Sequence, residues 1–178
     1  KDTDKIIGGI FRTRHEKRPF LWFDVAKIVI REIPNAKFIL LGNGILFNDL
    51  KKEVFKHKLE KNIFLMGQVS DVASWIDIFD LVLHTSMIEG LPNALAEAQG
   101  LGVPVISTNC GGASEAIIDK VTGLIVNDSD PNIIAGELIK LLKNDDWLKN
   151  ASLEAIKFSR ERFCFSRNYK KYLEDIKN

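Results

Sequence analysis

Cysteine, methionine and tyrosine are scarce, with two of each in 178 residues. Cys110 and Cys164 stand far apart in the chain. That excludes a disulfide scaffold, and no Cys/His spacing suits zinc, so a reducing cytosol is the expected setting. His15, His57 and His84 are the only histidines, and their spacing offers no metal site. Neither sign of charge is in excess: 25 Lys and Arg face 24 Asp and Glu, for a net charge of +1. A protein that coats DNA or RNA would be far more basic. A small anion held by a local basic cluster remains open. No apolar run approaches the roughly 20 residues of a membrane span. The polar start, Lys1-Asp2-Thr3-Asp4-Lys5, contains no signal-peptide core. Neither the phosphate-loop pattern G-x-x-x-x-G-K-[ST] nor the hydrolase elbow G-x-S-x-G occurs. The chain begins without Met and enters an apolar strand within five residues. That reads as a piece of a longer protein.

Hydrophobic residues make up 46% of the chain, enough for one globular core and too many for disorder. Short runs rich in Ile, Val, Leu and Phe recur at 6–11, 38–41, 63–66, 81–84, 104–107 and 124–126. They do not alternate, which is how strands covered on both faces read. Helix-length segments separate them at 20–33, 46–59, 71–79, 92–101 and 113–118. In the first of these Asp24, Lys27 and Arg31 form one narrow polar stripe, so the remainder is expected to be buried. Strand–helix alternation of this kind predicts right-handed crossovers and a Rossmann-like, three-layer α/β/α domain on a parallel sheet of about six strands. After Asn127 three helical segments follow without a strand, at 131–142, 146–162 and 166–176. The last carries Tyr169, Tyr172, Leu173 and Ile176 on one stripe, with Ser166 as its cap. The core is expected to be complete by Leu142, which makes 163–178 a docking helix for something outside this domain.

Ligands of open α/β sheets bind beyond the carboxyl ends of the strands. The loop after the first strand, Phe11 to Pro19, carries Arg12, Arg14, Lys17 and Arg18 ahead of a helix start. Cations and helix N–H groups suit a phosphate, while a solvated basic loop explains the same residues. Gly42-Asn43-Gly44 resembles the opening of a dinucleotide fingerprint, but Phe47 occupies its third glycine position, and a tight turn is the better reading. In Thr85-Ser86-Met87-Ile88-Glu89-Gly90-Leu91-Pro92-Asn93-Ala94-Leu95-Ala96-Glu97-Ala98, Pro92 reads as the first helical residue. Leu91, Asn93 and Ala94 then offer unpaired N–H groups, and Gly90 permits close approach. Glu97, between Ala96 and Ala98 in a helix expected to be buried, requires a partner: a sugar hydroxyl or a structural cation. Glu89 is either a ligand contact or a partner of the helix dipole. Cys110-Gly111-Gly112 reads as a tight strand–helix connection, Cys110 as a small hydrophobe, and His84 as packing behind a site.

These segments resemble the nucleotide-binding C-terminal half of retaining GT-B glycosyltransferases of family 4, over essentially the whole chain. The resemblance is carried by Glu89-Gly90-Leu91-Pro92-Asn93-Ala94-Leu95-Ala96-Glu97 with its Glu-x7-Glu spacing, by Gly102-Val103-Pro104-Val105-Ile106, by Gly111-Gly112-Ala113-Ser114-Glu115, by Thr122-Gly123-Leu124-Ile125-Val126 and by the Arg12-x4-Lys17 pair. Phe11 and Arg18 stand where the family often has Gly. The resemblance implies transfer of a sugar from a UDP- or GDP-sugar to a glycan or lipid-linked acceptor, with retention. Arg12 and Lys17 would clamp the diphosphate, and Glu89 would meet the transferred sugar as the third catalytic residue. Glu97 would meet the ribose, Val69 would lie by the base, and Gly90, Leu91, Asn93 and Ala94 would meet phosphate or sugar. No metal or other cofactor is implied. It also implies a missing N-terminal acceptor domain, a fragment inactive by itself, and a cytoplasmic location with room for peripheral membrane association through the missing half. A GT-B sugar-nucleotide epimerase and a non-catalytic nucleotide-binding module are the alternatives. The Glu-x7-Glu spacing argues against the first, and a binding module would gain nothing from Glu89.

Overall fold

The computed structural model describes residues 4–163. The stretch 164–178, with the expected docking helix and Cys164, lies outside the described residues. Six strands form one parallel sheet: β1 (Lys5–Ile10), β2 (Ala36–Leu41), β3 (Ile63–Gly67), β4 (Leu81–His84), β5 (Val105–Thr108) and β6 (Gly123–Val126). Their order is β3-β2-β1-β4-β5-β6, so the chain winds outward in one direction from β1 and then in the other from β4. The helices are α1 (Pro19–Glu32), α2 (Phe47–Lys56), α3 (Val72–Ile76), α4 (Asn93–Gly100), α5 (Ala113–Ala116), α6 (Pro131–Leu142) and α7 (Asp145–Phe163).

The sheet separates two apolar layers. One joins Trp22, Phe23 and Val29 of α1 to Phe38, Leu40, Leu83 and Leu138. The other joins Ile39, Phe79, Val82 and Leu95 to Ala113 and Ile117. Burial on both faces holds for the four central strands. It fails at β3, where Phe64 and Met66 are about two-fifths exposed. β3 is an edge strand, and an apolar run alone does not reveal its place in the order. In α1 the predicted polar stripe lies off the core, with Lys27 paired to Asp24 at 2.7 Å, but the rest of the helix is not all buried: Phe20 is 37% exposed. Asp130 caps α6 by accepting from the Asn132 N–H at 2.8 Å. Asp130→Ala is expected to lower stability by about 1 kcal/mol in a denaturant titration.

Two boundaries correct the sequence reading. Pro92 is the residue before α4, with extended backbone (ψ 97), and the helix begins at Asn93. The core is also not complete at Leu142. Helix α7 lies along α4 through its small residues Ala151, Ala155 and Ser159. The Ser159 hydroxyl is 3.5 Å from the Ala96 carbonyl, and a side chain at Gly100 would press on that hydroxyl. Small residues on both helices allow this approach, a signal invisible to a search for apolar stripes. No helix among the described residues is long and apolar enough to cross a membrane.

Candidate functional site

β1 and β4 are adjacent at the point where the strand order reverses. The helices that follow them, α1 and α4, pack on opposite faces of the sheet, which is the switch-point geometry at which ligands of α/β sheets bind. The loop after β1 makes a short 3-10 turn, His15–Lys17, and then places Arg18 in the left-handed region (φ 49) immediately before α1. That backbone explains why glycine suits the position. Here an arginine occupies it, and its guanidinium ties the site together. Nε donates to the Thr85 carbonyl at 2.6 Å, Nη2 to the Ser86 carbonyl at 3.0 Å and to Thr108 Oγ1 at 2.9 Å, and Nη1 to Ser129 Oγ at 2.6 Å. The loops after β4, β5 and β6 are thus pinned to the start of α1. Sequence reasoning counted Arg18 as one of four cations and noted that it stands where glycine is usual, without assigning it an anchoring role. The signal that could have found it is a long side chain at a glycine-favouring position.

The β1 and β4 loops also bond directly. The Met87 N–H donates to the Glu16 carbonyl at 2.8 Å, and the Thr85 hydroxyl to the Lys17 carbonyl at 3.0 Å. This brings Lys17 Nζ onto Glu89 Oε1 as an ion pair. His84 Nε2, at the end of β4, lies 3.0 Å from the same oxygen. Glu89 is mostly buried, and its carboxyl is held down at about 2, first by the His84 hydrogen bond and then by those of Lys17 and Ser86, against the opposing effect of burial. Such a carboxylate is ionised and only accepts.

The glycines of the loop after β5 complete the support. Gly111 has φ 57, the Gly112 N–H donates to the Glu89 carbonyl at 3.2 Å, and a Cβ at Gly112 would overlap the Gly90 carbonyl oxygen. The tight-connection reading of this segment was right about conformation, but the closeness serves a neighbouring loop. Gly42-Asn43-Gly44 acts likewise beneath Arg12: Gly42 (φ 126) abuts the Phe11 carbonyl, and the Asn43 carbonyl accepts from the Thr13 N–H at 3.2 Å. Cys110 is 1% exposed, and burial pushes its thiol up, which suits a small hydrophobe.

Arg12 is exposed and sits at the rim of a cleft of about 370 Å³. Ile10, Leu41, Val69 and Val72 give this cleft apolar walls, and Asn43 and Gln68 add amides. Flat apolar walls beside a cation are what a base linked to phosphate requires. A larger hollow, about 560 Å³, lies over β5 and β6. Its polar lining is already engaged, with Asn109 donating to Asn127 at 2.7 Å and Arg18 to Ser129. Beyond Gly90 there is open space, and the N–H groups of Asn93 and Ala94 precede the first intrahelical bonds. Leu91 is half exposed beside them. Glu97 corrects the expectation of burial: it lies in the second turn of α4 on the face opposite Leu95, Ala98 and Gln99, exposed and without an ion pair among the described residues. The alanines that flank it in sequence point elsewhere on the helix. The structure thus unites Lys17, Glu89 and His84 at one point and sets Arg12 with Val69 at an adjoining cleft.

Comparison with known proteins agrees with this geometry. The family model described as glycosyl transferases group 1 matches residues 1–160. The Vi polysaccharide biosynthesis protein VipC/TviE of Salmonella typhi is 39% identical over 129 residues, 72% of this chain and 22% of that protein. A poly(ribitol-phosphate) alpha-N-acetylglucosaminyltransferase of Staphylococcus aureus (strain COL) is 31% identical over 144 residues, 80% of this chain and 29% of that protein. The chain therefore spans less than a third of the length of these two relatives. The crystal structure of a mutant of S. aureus TarM, in complex with fondaparinux, alpha-GlcNAc-glycerol and UDP, superposes with a TM-score of 0.90 at 28% identity, over 97% of this chain and 35% of that one. A reversed-order parallel sheet, a cation–carboxylate site at its switch point and a family match over residues 1–160 lead to one assignment: the chain belongs to the glycosyl transferases group 1 family.

Proposed function

We propose that this chain is the donor-binding half of a retaining glycosyltransferase that takes a UDP-sugar. The observation that carries the reading is the Lys17–Glu89 pair at the switch point, beside the cleft that Arg12 and Val69 line. In this reading uracil and ribose enter the cleft, Val69 lies by the base and Glu97 accepts from the ribose hydroxyls. Arg12 and Lys17 hold the diphosphate, while N–H groups from Gly90 to Ala94 meet phosphate or sugar. As the bond from the anomeric carbon to the diphosphate breaks, its electron pair passes to the phosphate oxygen, where the two cations neutralise it. They thereby do the work a divalent metal does elsewhere. Glu89 meets the sugar, whose anomeric carbon gains positive character. The acceptor hydroxyl attacks from the face the diphosphate leaves, and its proton passes to the departing phosphate oxygen as the new carbon–oxygen bond forms. TarM, related at 28% identity, carries UDP in its crystal structure, which favours uracil over guanine. The acceptor half lies in the part of the relatives that this chain does not span, so the chain by itself is expected to bind donor without transferring sugar efficiently. Relatives named for polysaccharide biosynthesis and for a poly(ribitol-phosphate) acceptor point to a glycan or related polymer as the acceptor class.

Calorimetry with UDP and with uridine tests the reading. Lys17→Ala is expected to weaken UDP by about 1.5–3 kcal/mol, the worth of a charge-assisted hydrogen bond, and to leave uridine nearly unchanged. Equal losses for both ligands, or no binding of UDP to the wild type, would remove Lys17 from the clamp.

A further inference from the structure

His84 ends β4 and is 2% exposed. Its Nε2 faces Glu89 Oε1 at 3.0 Å, while its Nδ1 is buried with no hydrogen-bond partner among the described residues. An ionised carboxylate can only accept, so Nε2 must carry the proton. Nδ1 meets no partner among the described residues that would turn the ring, so Nε2 stays aimed at Glu89. The edge-on ring contact with Phe11, 6.5 Å between centroids, further fixes the imidazole plane. Lys17 and His84 thus share one carboxylate oxygen but differ in mobility. Lys17 reaches it on a flexible stem from a 3-10 turn, whereas His84 stands on a central strand.

We propose that His84 is a positioning residue for sugar transfer: its Nε2–H holds the Glu89 carboxylate in place when Lys17 turns from Glu89 to the donor diphosphate. The proposal rests on the donor-binding reading above. A phosphate competes with Glu89 for the ammonium of Lys17, and without a second donor the carboxylate would lose its anchor at the moment the sugar arrives. The buried ring has no competing ligand, so its hydrogen bond persists through that exchange.

The test is calorimetry on the full chain with UDP and with UDP-N-acetylglucosamine, for wild type, Glu89→Ala, His84→Leu and His84→Gln. His84→Leu is expected to lower affinity for the UDP-sugar about tenfold, the scale of a lost hydrogen bond to a charged group, and to leave UDP unchanged. His84→Gln, whose amide N–H can replace Nε2–H, is expected to recover most of the loss. Equal losses for the two ligands, or no recovery with Gln, would overturn the positioning role. Glu89→Ala separates this from failure of the donor reading. If it affects UDP and the UDP-sugar alike, or if the wild type binds neither, the donor reading falls and this proposal with it. If only Glu89→Ala discriminates the two ligands, His84 alone is wrong. Independently of any variant, ¹⁵N NMR of the unliganded wild type should show a proton on His84 Nε2. The Nδ1–H tautomer would refute the hydrogen bond outright.

Discussion

Gly112→Ala is expected to disable the site and destabilise the domain together. The added methyl would overlap the Gly90 carbonyl oxygen, which is backbone and cannot rotate aside. Relief requires the 89–91 segment to move away from the loop after β5, breaking the bond from the Gly112 N–H to the Glu89 carbonyl. Overpacking of this kind costs about 1–3 kcal/mol and sometimes more. Any such shift also carries Glu89 off the point where Lys17 and His84 meet it. Thermal unfolding and UDP-sugar calorimetry on the same variant should therefore both change, with affinity down by about tenfold or more for a displacement near 1 Å. Gly90→Ala is the control. A Cβ there meets nothing within 4 Å among the described residues, so stability should hold. A Gly112→Ala protein with wild-type melting and wild-type affinity would show that the two loops are not mechanically joined.

The sheet and most of its helices were legible because their signals are local. Runs such as Leu81-Val82-Leu83-His84 belong to strands with neighbours on both edges, and their burial leaves no choice of residue type. The polar stripe of α1 lies off the core for the same reason, although Phe20 at the start of the helix is exposed beside it. What escaped depends on contacts distant in sequence. The exposure of β3 follows from its place at the edge, which only the winding order decides. The seat of α7 depends on Ala96 and Gly100 offering a shallow surface to Ser159, and small residues carry no periodic signal. At the candidate site, the Glu-x7-Glu spacing singled out the loop after β4, while the alanines beside Glu97 misjudged its burial. Flanking alanines say little about burial in a helix, because residues adjacent in sequence lie about 100° apart around its axis. Arg18 was the largest omission. Its importance lies in four hydrogen bonds to residues 67 or more positions away.

Replacing Glu89 by Gln in the full-length enzyme is expected to lower kcat by about 10²–10³, with a smaller change in donor KM. Gln keeps the shape and can still accept a hydrogen bond, but it carries no charge to set against the positive character that the proposed reaction builds on the sugar as the diphosphate departs. The loss of one preorganised electrostatic group is worth roughly that factor. The acid side of the pH profile provides a second readout. The Glu89 carboxyl titrates at about 2 in the folded protein, against 4.5 for a free one, because His84, Lys17 and Ser86 favour the anion. A depressed value means the ionised form stabilises the fold: the contribution is whole above pH 4.5 and is lost as pH falls toward 2. It amounts to about 1–2 kcal/mol once solvent screening is allowed for. Wild-type stability should therefore fall more steeply than that of Glu89→Gln between pH 4.5 and 2, while the two run parallel above that window. Activity should show no Glu89-dependent loss near pH 4.5. A wild-type profile with an acid limb centred there, absent from Glu89→Gln, would mean that the carboxylate is not held by its three partners. The charge-based account of its role would then fail.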